Sequence, residues 1–406
     1  MIDRSLYTTA FSSEFGRQMR FIAGPRQCGK TTLAKKKLED SKCQKLYFNF
    51  DQREIRQKLK LDYNFYENEI NNLISKPKDI WLCFDEIHKL PAWKNTLKGY
   101  FDKNEKLMNF MITGSARLDL FRKSGDSLAG RYFLFRLFPV SLRELYGKNL
   151  NISPENDALQ FVKNRTDDPH YAQEMLEALL KFSGFPEPLL KGSEKFYRKW
   201  HNDYIDRLVK EDLRDLSKIV DLENVATLIT ILPTKIANPL SINSLTGDLG
   251  VSFTAAKNYL QALDLTYITF SIKPYSKRIA RAVKKETKCY LYDYTGIQNM
   301  GARFENYTAL ELKILVESWN DSGEGNFDLN YIRTKDGKET DFLITKDGDP
   351  WLLLEAKFGS TAISPHHEKQ RKMLGNIPFV QIVHENKIMK NPGHGVYIVS
   401  ASRFFR

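Results

Sequence analysis

The chain has 406 residues, 42% of them hydrophobic and 12% aromatic, which excludes a mainly disordered protein and makes room for roughly two to four domains. Lys and Arg number 62 against 50 Asp and Glu, a net charge of +12 that permits a polyanionic partner. No apolar run approaches the ~20 residues of a membrane helix, the N-terminal stretch has no apolar signal core, and Cys28, Cys43, Cys83 and Cys289 show no zinc spacing, so the expectation is a reduced, cytoplasmic protein with no membrane partner.

Along the first 150 residues, short apolar runs alternate with helical patterns. Runs at Met19–Ile22, Leu46–Phe50, Ile80–Phe84, Phe110–Thr113 and Tyr132–Leu137 carry apolar residues at consecutive positions. That pattern predicts central strands of a parallel sheet covered on both faces. Gly24-Pro25-Arg26-Gln27-Cys28-Gly29-Lys30-Thr31 fits G-x-x-x-x-G-K-[ST] between the first strand and a helix. Glycines let the backbone turn tightly and aim N–H groups at phosphates, and the helix N-terminus adds its positive dipole end. Gly24 through Thr31, with Thr32 next on the helix, are the expected nucleotide contacts. Lys30 would reach the β- and γ-phosphates, and the Thr31 hydroxyl would hold Mg²⁺. The third run ends in Asp85 and Glu86, with Asp85 expected at Mg²⁺ and Glu86 on the attacking water. The fourth ends in Thr113-Gly114-Ser115-Ala116-Arg117, where a polar side chain can sense the γ-phosphate. Arg131 is a second cation near a strand start, able to stabilise phosphoryl transfer in cis or from a neighbouring subunit. His88 reads as structural.

From 157 to 216 helical patterns dominate, broken by a Gly184–Pro188 turn, and read as a helical lid. Ile242–Leu249 and Phe253–Leu263, joined by Gly250-Val251-Ser252, have helix-turn-helix spacing with Ser252 as N-cap. Thr266–Ile272 and Lys288–Tyr292 follow as a two-stranded wing. Ser271–Lys288 carries Lys273, Lys277, Arg278, Arg281, Lys284, Lys285 and Lys288 against a single acid, Glu286. With Lys257 on the second helix, this run predicts a track for the DNA backbone, salt-sensitive and indifferent to sequence.

The last hundred residues read as a helix (Phe304–Val316), three strands (Leu329–Arg333, Thr340–Ile344, Trp351–Phe358), a helix and further strands. Glu305 lies on an apolar helix face, Asp341 in a strand, and Glu355 and Lys357 at alternate positions of another, so the last two share a face. Acids in such places are costly unless paired or bound to a metal. Asp341 and Glu355 could hold a divalent ion that activates water. His366-His367 reads as a solvated turn.

The order of the P-loop, YFNFD, DEIHKLPAW, ITGSARLDLF, SLAGRYFLFRLFPVSLREL, GFPEPL and FENYTALEL resembles one family: bacterial and archaeal AAA+-like ATPases that carry a C-terminal restriction-endonuclease-like domain. The resemblance implies ATP hydrolysis by Lys30, Thr31, Asp85 and Glu86. It also implies Thr113, Ser115 and Arg117 at the sensor position, Arg131 as a finger in trans, and a homo-oligomer, such as a hexameric ring. Glu305, Asp341, Glu355 and Lys357 resemble the E…D…E-x-K pattern of PD-(D/E)xK nucleases, with Thr340 where that pattern has Pro. The expected fold class is α/β: an AAA+-like ATPase domain over 1–150, a helical lid over 151–216, a winged helix over 217–298 and a nuclease-like domain over 299–406. The expected activity is ATP-dependent processing of duplex or branched DNA, with a second Mg²⁺ or Mn²⁺ in the nuclease-like domain. The alternative is a regulatory ATPase switch whose C-terminal domain recognises DNA or a protein without cleaving.

Overall fold

The computed structural model describes residues 2–73, 78–114, 128–148, 150–214, 221–276, 286–359 and 362–406. The chain divides into two compact units, Arg4–Phe138 and a second whose body is Pro139–Arg406.

In the first unit, β1 (Met19–Ala23), β2 (Tyr47–Asn49), β3 (Trp81–Asp85), β4 (Asn109–Thr113) and β5 (Tyr132–Arg136) form one sheet in the order β2-β3-β4-β1-β5. Every pairing is parallel. β1 and β3 are buried along their whole length, which is why the sequence shows consecutive apolar residues rather than alternation. Parallel strands bring their C-terminal ends to one edge. Ala23, Asp85 and Thr113 therefore stand together, Ile22 beside Thr113 and Thr113 beside Asp85 in register. Arg20 is buried in the middle of β1. Its guanidinium is met by main-chain carbonyls of Ala10, Phe15 and Gly16 at 2.7, 3.2 and 3.0 Å, which satisfies a charge the core would otherwise exclude.

The second unit is built on a nine-stranded sheet in the order β13-β14-β12-β11-β10-β9-β7-β8-β6. Its strands are β6 (Pro239–Leu240), β7 (Thr269–Pro274), β8 (Thr287–Leu291), β9 (Phe327–Arg333), β10 (Glu339–Lys346), β11 (Asp349–Lys357), β12 (Phe379–Val383), β13 (Met389–Gly393) and β14 (Val396–Ser400). Helix Met300–Ser322 packs on this sheet with Phe304, Ala309, Leu312 and Val316 buried. The helix-turn-helix pair forms as Ile242–Leu249 and Phe253–Leu265, and the Ser252 hydroxyl accepts the Ala255 N–H at 3.2 Å. β7 and β8 pair antiparallel behind it.

Two features cut across the boundaries read from the sequence. β7 continues past its hairpin partner to pair in parallel with β9, Lys273 opposite Asn330 and Pro274 opposite Tyr331. Segments 217–298 and 299–406 thus share one sheet. The helices Ala158–Asp167 and Gln173–Phe182, expected as a lid, lie in the same compact unit as the end of the chain. Arg165 Nε donates to the Phe404 carbonyl at 2.7 Å. The Ala172 N–H donates to the Ser402 carbonyl at 2.8 Å, tying the start of one of these helices to the last turn of the chain. The Trp319 indole donates to the Ile152 carbonyl at 2.7 Å. The Phe161 ring stands 5.3 Å from that of Trp319 and 5.4 Å from that of Trp351, an aromatic core that no local pattern announces. Among the described residues, no helix is long and apolar enough to cross a membrane.

Candidate functional site

Two clusters of charged side chains converge, one in each unit. In the first, the backbone after β1 turns through Gly24 at φ +145° and Gly29 at φ +102°. A Cβ on Gly24 would lie 2.0 Å from the Leu137 carbonyl oxygen, so this position excludes any side chain. Gly29 caps helix Lys30–Asp40, whose first turn faces the loop. Lys30 Nζ donates to the carbonyls of Gly24 at 2.9 Å and Pro25 at 2.6 Å. The Thr31 hydroxyl donates to Asp85 Oδ2 at 3.2 Å and the Thr113 hydroxyl to Asp85 Oδ1 at 2.5 Å. Tyr47 also donates its hydroxyl to Asp85, and burial with that hydrogen bond raises the Tyr47 pKa.

Glu86 follows with a left-handed backbone, φ +57°, uncommon for a residue with a side chain. Its N–H donates to the Thr113 carbonyl at 2.9 Å, and its carboxylate is 3.3 Å from His88 Nε2. Burial pushes the Glu86 carboxyl up to about 7, with Lys30 opposing. The Cys28 thiol is buried, 3.2 Å from the Leu137 carbonyl, and belongs to the packing beneath the loop. Pro25 is buried, Arg26 half-buried, and Gln27, Thr31 and Thr32 are exposed along the loop and first helical turn. A cradle shaped by two glycines, a lysine held by neutral carbonyls, and a hydroxyl beside a carboxylate fit a nucleoside triphosphate with Mg²⁺.

Ser115 and Arg117 lie outside the described residues. Arg131 stands away from this cluster. It directly precedes β5, whose Tyr132 is in register with Met19 at the start of β1, whereas the P-loop leaves the other end of that strand. There it pairs with both oxygens of Asp102, at 2.7 and 3.0 Å.

In the second unit, Glu305, Asp341, Glu355 and Lys357 come together as their spacing anticipates, with two residues it did not anticipate. Asp341 and Glu355 sit on adjacent antiparallel strands. The Asp341 N–H donates to Glu355 Oε2 at 3.1 Å, and the Ala356 N–H to Asp341 Oδ2 at 3.2 Å. Pairing of β10 with β9 shifts register between Thr340 and Leu343, which re-aims this stretch. Lys357 Nζ pairs with Glu355 Oε1 at 2.5 Å.

Lys288, read from the sequence as part of the basic track, is instead fully buried at the centre of this cluster. Its Nζ lies 2.9 Å from Glu305 Oε1, 2.7 Å from Glu339 Oε1 and 3.1 Å from Asp341 Oδ1. The Tyr290 hydroxyl, on the same face of β8, donates to Glu305 Oε1 at 2.8 Å. Burial alone would lower the Lys288 pKa, but Asp341, Glu305 and Glu339 outweigh it and hold the ammonium charged. Burial and the Asp341 charge push Glu305 up to about 7 and Glu355 up to about 8, against the lysines that face them. The legible signal for Lys288 was its place two residues before Tyr290 in the strand pattern KCYLY. That alternation puts it on a buried face. Glu339 carried the same kind of signal, two residues before Asp341 at the start of β10.

His366-His367 is not a solvated turn. Both belong to helix Pro365–Met373, and His367 is buried with its ring stacked on Phe379 at 5.1 Å. The Thr340 hydroxyl bonds His367 Nδ1 at 2.7 Å, so the residue in the place of the pattern's Pro anchors this helix beside Asp341. Burial holds the His367 pKa down to about 4.

A cavity of about 650 Å³ opens beside the cluster, lined by Glu305, Asp341, Lys357 and also by Pro233, Asn238 and Asn299. The donor set does not fit a divalent ion as it stands. Glu305 and Asp341 direct oxygens to the Lys288 ammonium and Glu355 directs one to Lys357. Among the described residues, no three His, Cys, Asp or Glu side chains are arranged to hold a metal. Of the DNA-track cations, Lys257 and Lys273 are exposed. Lys277, Arg278, Arg281, Lys284 and Lys285 lie outside the described residues.

Comparison with known proteins bears on each unit. Residues 16–146 match the model of an AAA domain, and residues 173–306 match a domain of unknown function. An uncharacterized protein of Methanocaldococcus jannaschii is 25% identical over 345 residues, which cover 80% of this chain and 72% of the relative. An uncharacterized protein of Haemophilus influenzae is 24% identical over 358 residues, covering 84% and 82%. Among solved structures, the Aeropyrum pernix ORC1 protein in complex with DNA aligns at a TM-score of 0.31 and 14% identity, covering 76% of this chain and 92% of that one. The replication initiator DnaA bound to AMPPCP and single-stranded DNA aligns at 0.30 and 15%, covering 65% and 90%. The five-stranded parallel sheet and the P-loop lie within the stretch that matches the AAA domain, so the first unit is similar to AAA-type P-loop domains.

Proposed function

We propose that this protein hydrolyses ATP to drive work on DNA, and that its second unit holds the nucleic acid. The observation that carries the reading is the convergence of Lys30, Thr31, Asp85, Glu86 and Thr113 at one edge of the parallel sheet. Lys30 would exchange its carbonyl partners for phosphate oxygens. Thr31 and Asp85 would hold Mg²⁺, whose charge offsets that developing on the transferred phosphoryl group. Glu86 would orient the attacking water, and Thr113 fixes the Asp85 carboxylate. A homo-oligomer, such as a hexameric ring, would let Arg131 serve a neighbour, since it lies at the far edge of its own sheet.

Support for DNA comes from the helix-turn-helix pair Ile242–Leu249 and Phe253–Leu265 backed by the β7–β8 hairpin, which together read as a winged helix. Exposed Lys257 and Lys273, with the run Lys277, Arg278, Arg281, Lys284 and Lys285, would contact backbone phosphates of duplex or branched DNA. Helix Met300–Ser322, the antiparallel β9–β10–β11, helix Pro365–Met373 and β12 follow the element order of a PD-(D/E)xK nuclease-like domain. Metal-dependent cleavage by this domain is a second reading, favoured by the convergence of Glu305, Asp341, Glu355 and Lys357. Lys288 on those acids weighs against it, so we place the domain as a recognition module.

The test is a panel of single-stranded, duplex, forked and four-way-junction DNA, with and without ATP and Mn²⁺. Glu86→Gln should bind ATP, assemble and stay on DNA. If that variant assembles with ATP yet ignores all four substrates, the DNA reading fails. Nicking that disappears in Glu355→Ala and survives Lys30→Ala would install the cleavage reading in its place.

A further inference from the structure

The acid cluster of the second unit contains its own cation. An ammonium has three N–H donors and no acceptor. Lys288 directs them at three carboxylates at 2.7–3.1 Å, with no part of its side chain reaching solvent. A divalent ion on the same oxygens would draw them in to ~2.0–2.6 Å, depending on the metal, and would face a positive charge already at their centre. Glu355, the remaining acid, is engaged by Lys357.

The lysine is also held from behind. Its backbone is paired on both sides, with Ile272 of β7 and Pro239 of β6. The Tyr331 ring lies 5.7 Å from its Nζ, and the Tyr331 hydroxyl donates to the Glu286 carbonyl at 2.7 Å, fixing the strand just before it. A strand paired on both sides and a full set of hydrogen bonds leave the ammonium no solvated alternative position, and a charge leaving such a site would strand the buried Asp341 and the half-buried Glu305 and Glu339.

We propose that Lys288 is a built-in counter-cation occupying the place of a divalent ion among Glu305, Glu339 and Asp341, so that the native cluster takes up neither Mg²⁺ nor Mn²⁺. This role belongs to the cluster alone and stands whether or not the ATPase unit acts on DNA. One residue then separates the site from a metal centre: removing the ammonium leaves three carboxylates around a cation-sized gap, beside a cavity open to ions.

The experiment is a Mn²⁺ titration of the nucleotide-free full chain, read by the free-ion electron paramagnetic resonance signal. Four chains are compared: wild type, Asp341→Asn, Lys288→Met and the double variant. Any ion held at Thr31 and Asp85 is common to all four. Wild type and Asp341→Asn should bind Mn²⁺ alike. Lys288→Met should gain one site, with affinity at that site roughly tenfold or more above anything wild type shows there, and the double variant should lose it. Mn²⁺ uptake by wild type that Asp341→Asn abolishes would overturn the proposal. So would a Lys288→Met chain, folded by circular dichroism, that binds no more Mn²⁺ than wild type. If Lys288→Met does not fold, the wild-type and Asp341→Asn pair decides: equal uptake supports the proposal and Asp341-dependent uptake refutes it.

Discussion

Each unit of this protein sets a buried lysine near carboxylates, and the two lysines are held in opposite ways. Lys30 is bonded by the neutral carbonyls of Gly24 and Pro25, while Asp85 is occupied by the hydroxyls of Thr31, Thr113 and Tyr47. Its charge remains available to an arriving anion, because exchanging a carbonyl for a phosphate oxygen gains electrostatic energy. Lys288 is bonded by three carboxylates, and its charge is already spent on them. The partners of a lysine, more than its burial, decide whether it can serve a ligand.

The sharpest way to break this contrast is to remove each lysine in turn. Lys288→Ala should destabilise the second unit by about 3–5 kcal/mol in urea or thermal unfolding, because it leaves buried acids unpaired. Mn²⁺ should recover part of that loss. Lys30→Ala should leave the melting temperature almost unchanged and lower ATP hydrolysis roughly 10²-fold or more in a steady-state assay. Equal destabilisation by both changes would erase the distinction.

A buried acid without a lysine sharpens it further. Glu311 accepts the Leu142 N–H at 2.8 Å, and burial pushes its carboxyl up to about 8. Its unfolded value is near 4.5, so between about pH 4.5 and 8 the folded chain binds more protons than the unfolded one. Stability from this group is complete below that window and falls as pH rises through it. Glu311→Gln keeps the acceptor and removes the titration. It should be more stable than wild type by roughly 2 kcal/mol at pH 8, with the gap closing by pH 4, as followed by denaturant midpoints.

Smaller effects test the surroundings. Ser252→Ala removes the cap of helix Phe253–Leu265 and should cost about 1 kcal/mol of stability while weakening retention on DNA. Arg131→Ala breaks only the surface pair with Asp102 and should leave nucleotide affinity of the isolated chain unchanged. A loss of hydrolysis that appears only at concentrations where the chain assembles would assign Arg131 to a neighbour's site.

Much of the first unit was legible because its signals are local. A parallel sheet buried on both faces writes itself as short apolar runs, and a phosphate loop needs glycines, a lysine and a hydroxyl in adjacent positions. Lys30, Thr31, Asp85 and Glu86 could therefore be placed relative to strand and helix. The four residues Glu305, Asp341, Glu355 and Lys357 were legible as a set for a similar reason: acids at apolar-face positions demand partners. Which partners they found was not. Lys288 looked like one of seven cations in a basic run, and His367 like a turn residue, because sequence proximity outweighed face and register.

Sequence alone determined the strand–loop–helix of the phosphate site, the helix-turn-helix with its Ser252 cap, and the acids of the second cluster, since each follows from residues within a few positions of one another. Only the tertiary structure decided that β7 would bridge to β9, that helices of 151–216 would pack with the end of the chain, and that Lys288 would face Glu305, Glu339 and Asp341. Those outcomes depend on strand order and register across long sequence separations. There, small differences in packing and charge pairing choose among arrangements that local patterns leave equivalent.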